Sequence, residues 1–140
     1  MTGEAIFWPM LAQVALTYGI YAVGSSRRVA AVKAGEAKPG QFRLPSAANE
    51  PERSASAMRS LSNQFELPVL FYACCLTLFV LGAAGLAAIL LAWAFVLSRL
   101  GHAYVHVTSN TLKFRRPAFI LGFFVLMAMW GLVLVRLVTG

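Results

Sequence analysis

Acidic residues are scarce in this chain of 140 residues: five glutamates and no aspartate stand against twelve lysines and arginines. The only two cysteines are neighbours, Cys74 and Cys75. A disulfide framework needs separated pairs in an oxidising compartment, so these two read as small core residues of an apolar helix. A metal centre lacks ligands as well. His102 and His106 sit one helical turn apart, but no third side chain at ligand spacing joins them, and no metal site is expected. No basic region precedes the first apolar stretch either. Glu4 lies before it while Arg27 and Arg28 follow it, which predicts a retained helix and not a cleaved signal. Charge of both signs together reaches only 12% of the residues against 59% hydrophobic, with a mean hydropathy of +0.72. That is far too apolar for a soluble domain of this length, so the chain reads as an integral membrane protein in contact with lipid.

Four stretches approach the roughly 20 apolar residues that cross a bilayer: 5–24, 67–82, 86–97 continuing to 107, and 118–135. The second and third are short by themselves, so the polar segments 59–66 and 98–107 must complete their helices. Polar side chains are thereby carried toward one membrane face. Gly82, Ala83, Ala84 and Gly85 form an uncharged connection suited to a tight turn at the opposite face. The expected fold is all-α, a four-helix membrane bundle forming one domain over residues 1–140, with spans at about 5–24, 57–82, 86–107 and 117–137. Segment 25–56, which holds Pro39, Gly40, Pro45 and Pro51, reads as a loop, with the second helix starting near 53–57. Pro117 suits the first turn of the last helix. No internal repeat or domain boundary is evident.

The basic residues set an orientation. Arg27, Arg28, Lys33, Lys38, Arg43, Arg53 and Arg59 lie between spans one and two, and Lys113, Arg115 and Arg116 between spans three and four, whereas the turn at 82–85 has none. Both basic loops are therefore expected in the cytoplasm and both termini outside it. The net charge of +7 then reports topology and attraction to anionic lipid. Nucleic acid is not an expected partner, because the cations flank the membrane without an aromatic platform.

Three polar groups stand out on the cytoplasmic side. Arg59, Asn63 and Glu66 are spaced i, i+4 and i+7, which on a continuous helix is one stripe. Such a stripe at the doorstep of an apolar run is costly to desolvate and marks a functional site by default, the plain alternative being an interhelical ion pair that fixes packing. Arg99, His102 and His106 share a face of the third span. Lys113, Arg115 and Arg116 suit a membrane anchor equally well, but arginine also clamps carboxylates and stabilises anions such as a thiolate. Arg28, at the end of the first span, has the same two readings. Several cations, one carboxylate, an amide and imidazoles beside lipid suit a ligand with carboxylates, an amine and a thiol. Glutathione fits that description. Its amine would meet Glu66, and a nearby cation would lower the pKa of its thiol.

The segment Arg59-Ser60-Leu61-Ser62-Asn63-Gln64-Phe65-Glu66, followed by Leu67-Pro68, resembles the Arg-x3-Asn-x2-Glu signature on the second helix of the MAPEG family, the membrane-associated proteins in eicosanoid and glutathione metabolism. The resemblance covers nearly the whole chain. It includes the third-helix segment Arg99-Leu100-Gly101-His102-Ala103-Tyr104-Val105-His106, and the stretch 110–116 is similar to an uncharacterised bacterial branch. The resemblance implies a homotrimer in a bacterial inner membrane, holding glutathione between subunits. Arg28, Arg59, Asn63, Glu66, Arg99, His102 and His106 would contact that ligand, and Arg115 or Arg116 would stabilise its thiolate. His106 stands where the best-studied enzymes have a tyrosine, and Phe119 where one subgroup places its key arginine. Two functions follow: a glutathione-dependent transferase or peroxidase acting on apolar electrophiles from the bilayer, or a non-catalytic lipid-binding helper or accessory subunit of a larger membrane complex.

Overall fold

Backbone that crosses lipid must satisfy its own hydrogen bonds, which favours helix. In the computed structural model, which describes residues 3–43 and 50–140, every regular element among the described residues is helical. Pro45, read above as part of a loop, lies outside the described residues, as do residues 1 and 2. A short 3-10 turn, Gly3–Ile6, leads into α1 (Phe7–Lys33). Then follow α2 (Glu52–Ser62), α3 (Leu67–Val80), α4 (Leu86–Val107) and α5 (Leu112–Thr139). Taken with the short turns that extend them, four stretches are long and apolar enough to cross a membrane: Gly3–Lys33, Glu52–Val80, Leu86–Val107 and Leu112–Thr139.

Two boundaries differ from the sequence reading. The expected loop 25–56 begins late, because α1 continues through Arg27 and Arg28 to Lys33. No glycine or proline interrupts it there, and the chain reverses only at Gly35, whose φ of 74° is the left-handed conformation a helix C-terminus calls for. Glu36 N donates to Ala31 O and Gly35 N to Val32 O, the paired bonds that close such an end. The last helix starts earlier than expected, at Leu112, so Pro117 lies in its second turn and Lys113, Arg115 and Arg116 are helical. The missing proline donor leaves only Lys113 O short of a bond, at the exposed end of the helix. The turn at 82–85 forms as read. Gly82 has φ 65°, and Ala83 N and Gly82 N donate to Leu78 O and Phe79 O.

The bundle has two distinct ends. At one, Arg27 donates to Arg53 O at 3.0 Å and to Val107 O at 2.7 Å, and Ser56 Oγ donates to His106 O at 2.6 Å, which joins α1, α2 and α4. At the other, Gly3 packs on Ala84, and Arg136 donates to Leu81 O at 3.2 Å. The basic connections thus share one end, and residues near both chain ends share the other. Between them the core holds Phe71 stacked on Phe95, ring centres 4.4 Å apart, with Cys74, Cys75, Leu78, Ala92 and Met129 around them. Both cysteines are fully buried.

In lipid, where apolar burial gives little drive, helix association rests on close packing. Helices α4 and α5 make the most extensive contact, and Gly122 permits it: a Cβ there would lie 2.6 Å from Ser98 Oγ. That hydroxyl is itself bonded to Phe95 O at 2.6 Å. Gly122→Val is expected to destabilise the protein by about 1–3 kcal/mol through overpacking, measured as a lower unfolding midpoint in detergent. An unchanged midpoint would show that α4 and α5 need no such approach.

Candidate functional site

The second membrane-crossing stretch is not one helix. Pro68 cannot donate to Gln64 O, and its ring crowds that carbonyl, so the helix breaks just upstream. Residues Asn63–Phe65 form a 3-10 turn, and Glu66 sits at φ −100°, ψ −104°, outside the helical region. The expected single stripe of Arg59, Asn63 and Glu66 is therefore corrected. Arg59 instead pairs with Glu52 at 2.6 Å, with its side chain 52% exposed, and Glu66 is exposed as well. Asn63 is half-buried, with Nδ2 donating to Arg59 O at 3.1 Å.

The break gives Asn63 O a partner on another helix: Arg99 Nη2 donates to it at 2.9 Å. Arg99 is fully buried, and its Nε and Nη1 have no hydrogen-bond partner among the described residues. Its guanidinium carbon lies 5.8 Å from the centre of the Phe119 ring. One turn along α4, His102 Nδ1 sits 3.1 Å from Arg115 O, so the carbonyl fixes the proton on Nδ1 and leaves Nε2 unpartnered. His106 stands edge-on to His102, ring centres 5.6 Å apart, with neither nitrogen bonded among the described residues. Arg115 donates from Nη1 to Asn110 Oδ1. Asn110 takes a left-handed φ of 50° in the turn between α4 and α5.

Asn63, His102, Arg115, Arg116, Phe119 and Ile120 line a cleft of about 360 Å³. Beside it, Leu67, Phe123, Met127, Trp130 and Leu134 are among the residues lining an apolar groove of about 410 Å³ between α3 and α5. Asn63, His102, Arg115 and Arg116 thus come together, with Arg99 and His106 adjoining. Arg59 and Glu66 do not line the cleft. Arg28 is elsewhere, bound to Glu50 through Nε and Nη2 at 2.8 and 3.0 Å and 4.8 Å from the centre of the Phe42 ring. No group of three or more metal-ligating side chains occurs among the described residues.

A family model, that of the MAPEG family, matches residues 5–135, nearly the whole chain. The chain belongs to the MAPEG family. MAPEG proteins are four-helix membrane bundles, generally trimeric, and they include glutathione-dependent transferases and peroxidases as well as non-catalytic members. No curated protein matches this MAPEG chain. Family and apolar helices together make it an integral membrane protein.

Some contributing residues lay outside the sequence reading. Gln13, in the second turn of α1, donates from Nε2 to Gln64 Oε1 at 2.9 Å, and both side chains are buried. An amide flanked by Ala12 and Val14 in an apolar span was the available signal. Glu50 gave none, because its partner lies a loop away. The Arg28 guanidinium, through its hydrogen bond, holds the Glu50 carboxyl below its ordinary range. A lowered pKa contributes stability above the unfolded carboxylate range, and that contribution is lost as pH falls through the folded value. The join between Glu50 and α1 is therefore expected to loosen as pH falls below the ordinary carboxylate range, read as faster proteolysis at Lys38 and Arg43. Glu50→Gln should show the loosened rate at neutral pH, and a wild-type rate in that variant would remove the pair from the account.

Proposed function

We propose that this MAPEG protein is a membrane-bound glutathione-dependent transferase or peroxidase acting on apolar electrophiles that enter from the bilayer. The observation that carries the reading is the set of buried, unpartnered nitrogens on Arg99, His102 and His106 beside the cleft. Buried polar groups are normally satisfied, so a cluster of bare ones suits a site that a polar ligand completes. Glutathione fits the residues present: a carboxylate suits Arg99, an ammonium or amide N–H suits the bare Nε2 acceptor of His102, and Arg116 suits a thiolate. The neighbouring apolar groove suits the electrophile. Exposure of Glu66, at the start of the apolar helix α3, supports a trimer in which a second subunit covers it.

Phe119 and His106 support the other reading, a non-catalytic helper or accessory subunit, because neither supplies a cation or a phenol at the sulfur. Glutathione titration of the purified protein separates the two. Ligand-dependent stabilisation together with thiolate absorbance supports the enzyme; stabilisation without thiolate supports the helper; neither at millimolar glutathione removes the enzyme and puts the accessory-protein reading in its place.

The end of the bundle that carries Arg27, Arg53 and Arg116 is assigned to the cytoplasm on its excess of lysine and arginine. A cysteine introduced at Lys38 is expected to react with membrane-impermeant reagent only from the cytoplasmic side. Labelling from outside would invert the topology.

A further inference from the structure

The amide pair inside the bundle is unusual in being both costly and incomplete. Gln13 is 0% exposed and Gln64 2% exposed. Gln64 Nε2 also donates to Ser60 O at 3.3 Å, one turn back in α2. Yet Gln13 Oε1 and Ser60 Oγ, both buried, have no partner among the described residues. A half-satisfied polar network is a poor source of stability, since an apolar pair of the same size would cost nothing to desolvate. Mere glue between helices does not account for it.

Its location does. Gln64 is the central residue of the 3-10 turn Asn63–Phe65, where α2 ends and the chain shifts into α3. Its side chain is tied on one side to α1 through Gln13 and on the other to the last turn of α2 through Ser60 O. A residue at a break that is tied both to the helix before it and to a neighbouring helix fixes the direction in which the adjoining carbonyls point. The carbonyl next to it, Asn63 O, accepts the one side-chain hydrogen bond that Arg99 makes among the described residues.

We propose that Gln13 is a positioning residue for the cleft: through Gln64 it holds the helix break in the form that keeps Asn63 O against Arg99. Proline 68 makes a break necessary, and Gln13 selects its geometry. This role rests on the proposed use of the cleft only for its functional consequence; the effect on the backbone stands apart from any ligand.

The test compares Gln13→Leu with the double variant Gln13→Leu/Gln64→Leu in the full-length protein. The single variant leaves Gln64 without its α1 partner and is expected to unfold more readily. The double variant removes both amides and is expected to melt at or above the wild-type temperature. Despite that, amide hydrogen exchange over residues 63–67 should be roughly three- to tenfold faster in the double variant, the scale of one interhelical hydrogen bond in a membrane. The glutathione dissociation constant should rise by a similar factor. Wild-type exchange in a stable double variant would overturn the proposal, and so would a double variant as unstable as the single one, since the pair would then be purely structural. If wild-type protein fails to bind glutathione, the proposed function falls, and the exchange measurement still decides the role of Gln13.

Discussion

Arg99→Met is expected to make the ligand-free protein more stable while removing its response to glutathione. Arg99 is fully buried with one hydrogen bond, to Asn63 O, and no carboxylate lies within ion-pair distance among the described residues. A cation held that way has given up its hydration for little in return. Replacing buried charge by well-packed apolar atoms is commonly neutral or stabilising by about 1–4 kcal/mol. Glutathione would supply the missing anion, and losing one member of a desolvated charge pair costs about 2–5 kcal/mol of binding. Thermal unfolding with and without millimolar glutathione reads both effects at once. A methionine variant that is less stable without ligand would mean that the guanidinium is already compensated in the free protein. One that still gains wild-type stabilisation from glutathione would exclude Arg99 from the site.

The two arginines at the start of α5 are expected to behave differently. Arg115 is engaged, its side chain on Asn110 and its carbonyl against His102. Arg116 lines the same cleft with no hydrogen bond or ion pair from its side chain among the described residues. Under the proposed function, Arg116 is the cation available to a sulfur. Arg116→Ala should raise the pKa of the bound thiol by about one to two units, each equal to about 1.4 kcal/mol. Turnover of a model electrophile at neutral pH should then fall roughly ten- to a hundredfold and recover as pH rises, with affinity changed little. Arg115→Ala should instead loosen the turn at Asn110 and lower the unfolding midpoint. An Arg116→Ala variant with an unchanged pH profile would transfer the thiolate role elsewhere or favour the non-catalytic reading.

Much of this site was legible because its signals are local. Gly82 and Gly85 in an uncharged gap mark a turn, and the spacing of Arg99, His102 and His106 places them on one face whatever surrounds them. The failures share a different cause. The stripe of Arg59, Asn63 and Glu66 assumed an unbroken helix although Pro68 stood in the same segment, and a proline acts on the carbonyl four residues back. Arg115 and Arg116 were equivalent in sequence, because only the fold shows that Asn110 turns back onto one of them. Arg28 looked available because Glu50 is brought near only by tertiary structure, and Arg59 because Glu52, two turns back on α2, was read as part of the loop. Glu66 is accordingly one of four carboxylates near the basic end, with Glu36, Glu50 and Glu52, not the sole one.

The meeting of the polar cleft with the apolar groove, where Ile120 gives way to Phe123 along α5 and Asn63 to Leu67 across the helix break, makes the protein a junction between two solvents. In the proposed transferase or peroxidase reaction, one reactant is metered by its concentration in water and the other by its mole fraction among lipids. Empty vesicles added at constant total substrate would dilute the second without touching the first, so the rate would fall with surface area while bulk concentrations stayed fixed. Chemistry at such a junction is governed by partitioning, and a poorly soluble compound becomes a concentrated one simply by dissolving in the membrane around the bundle.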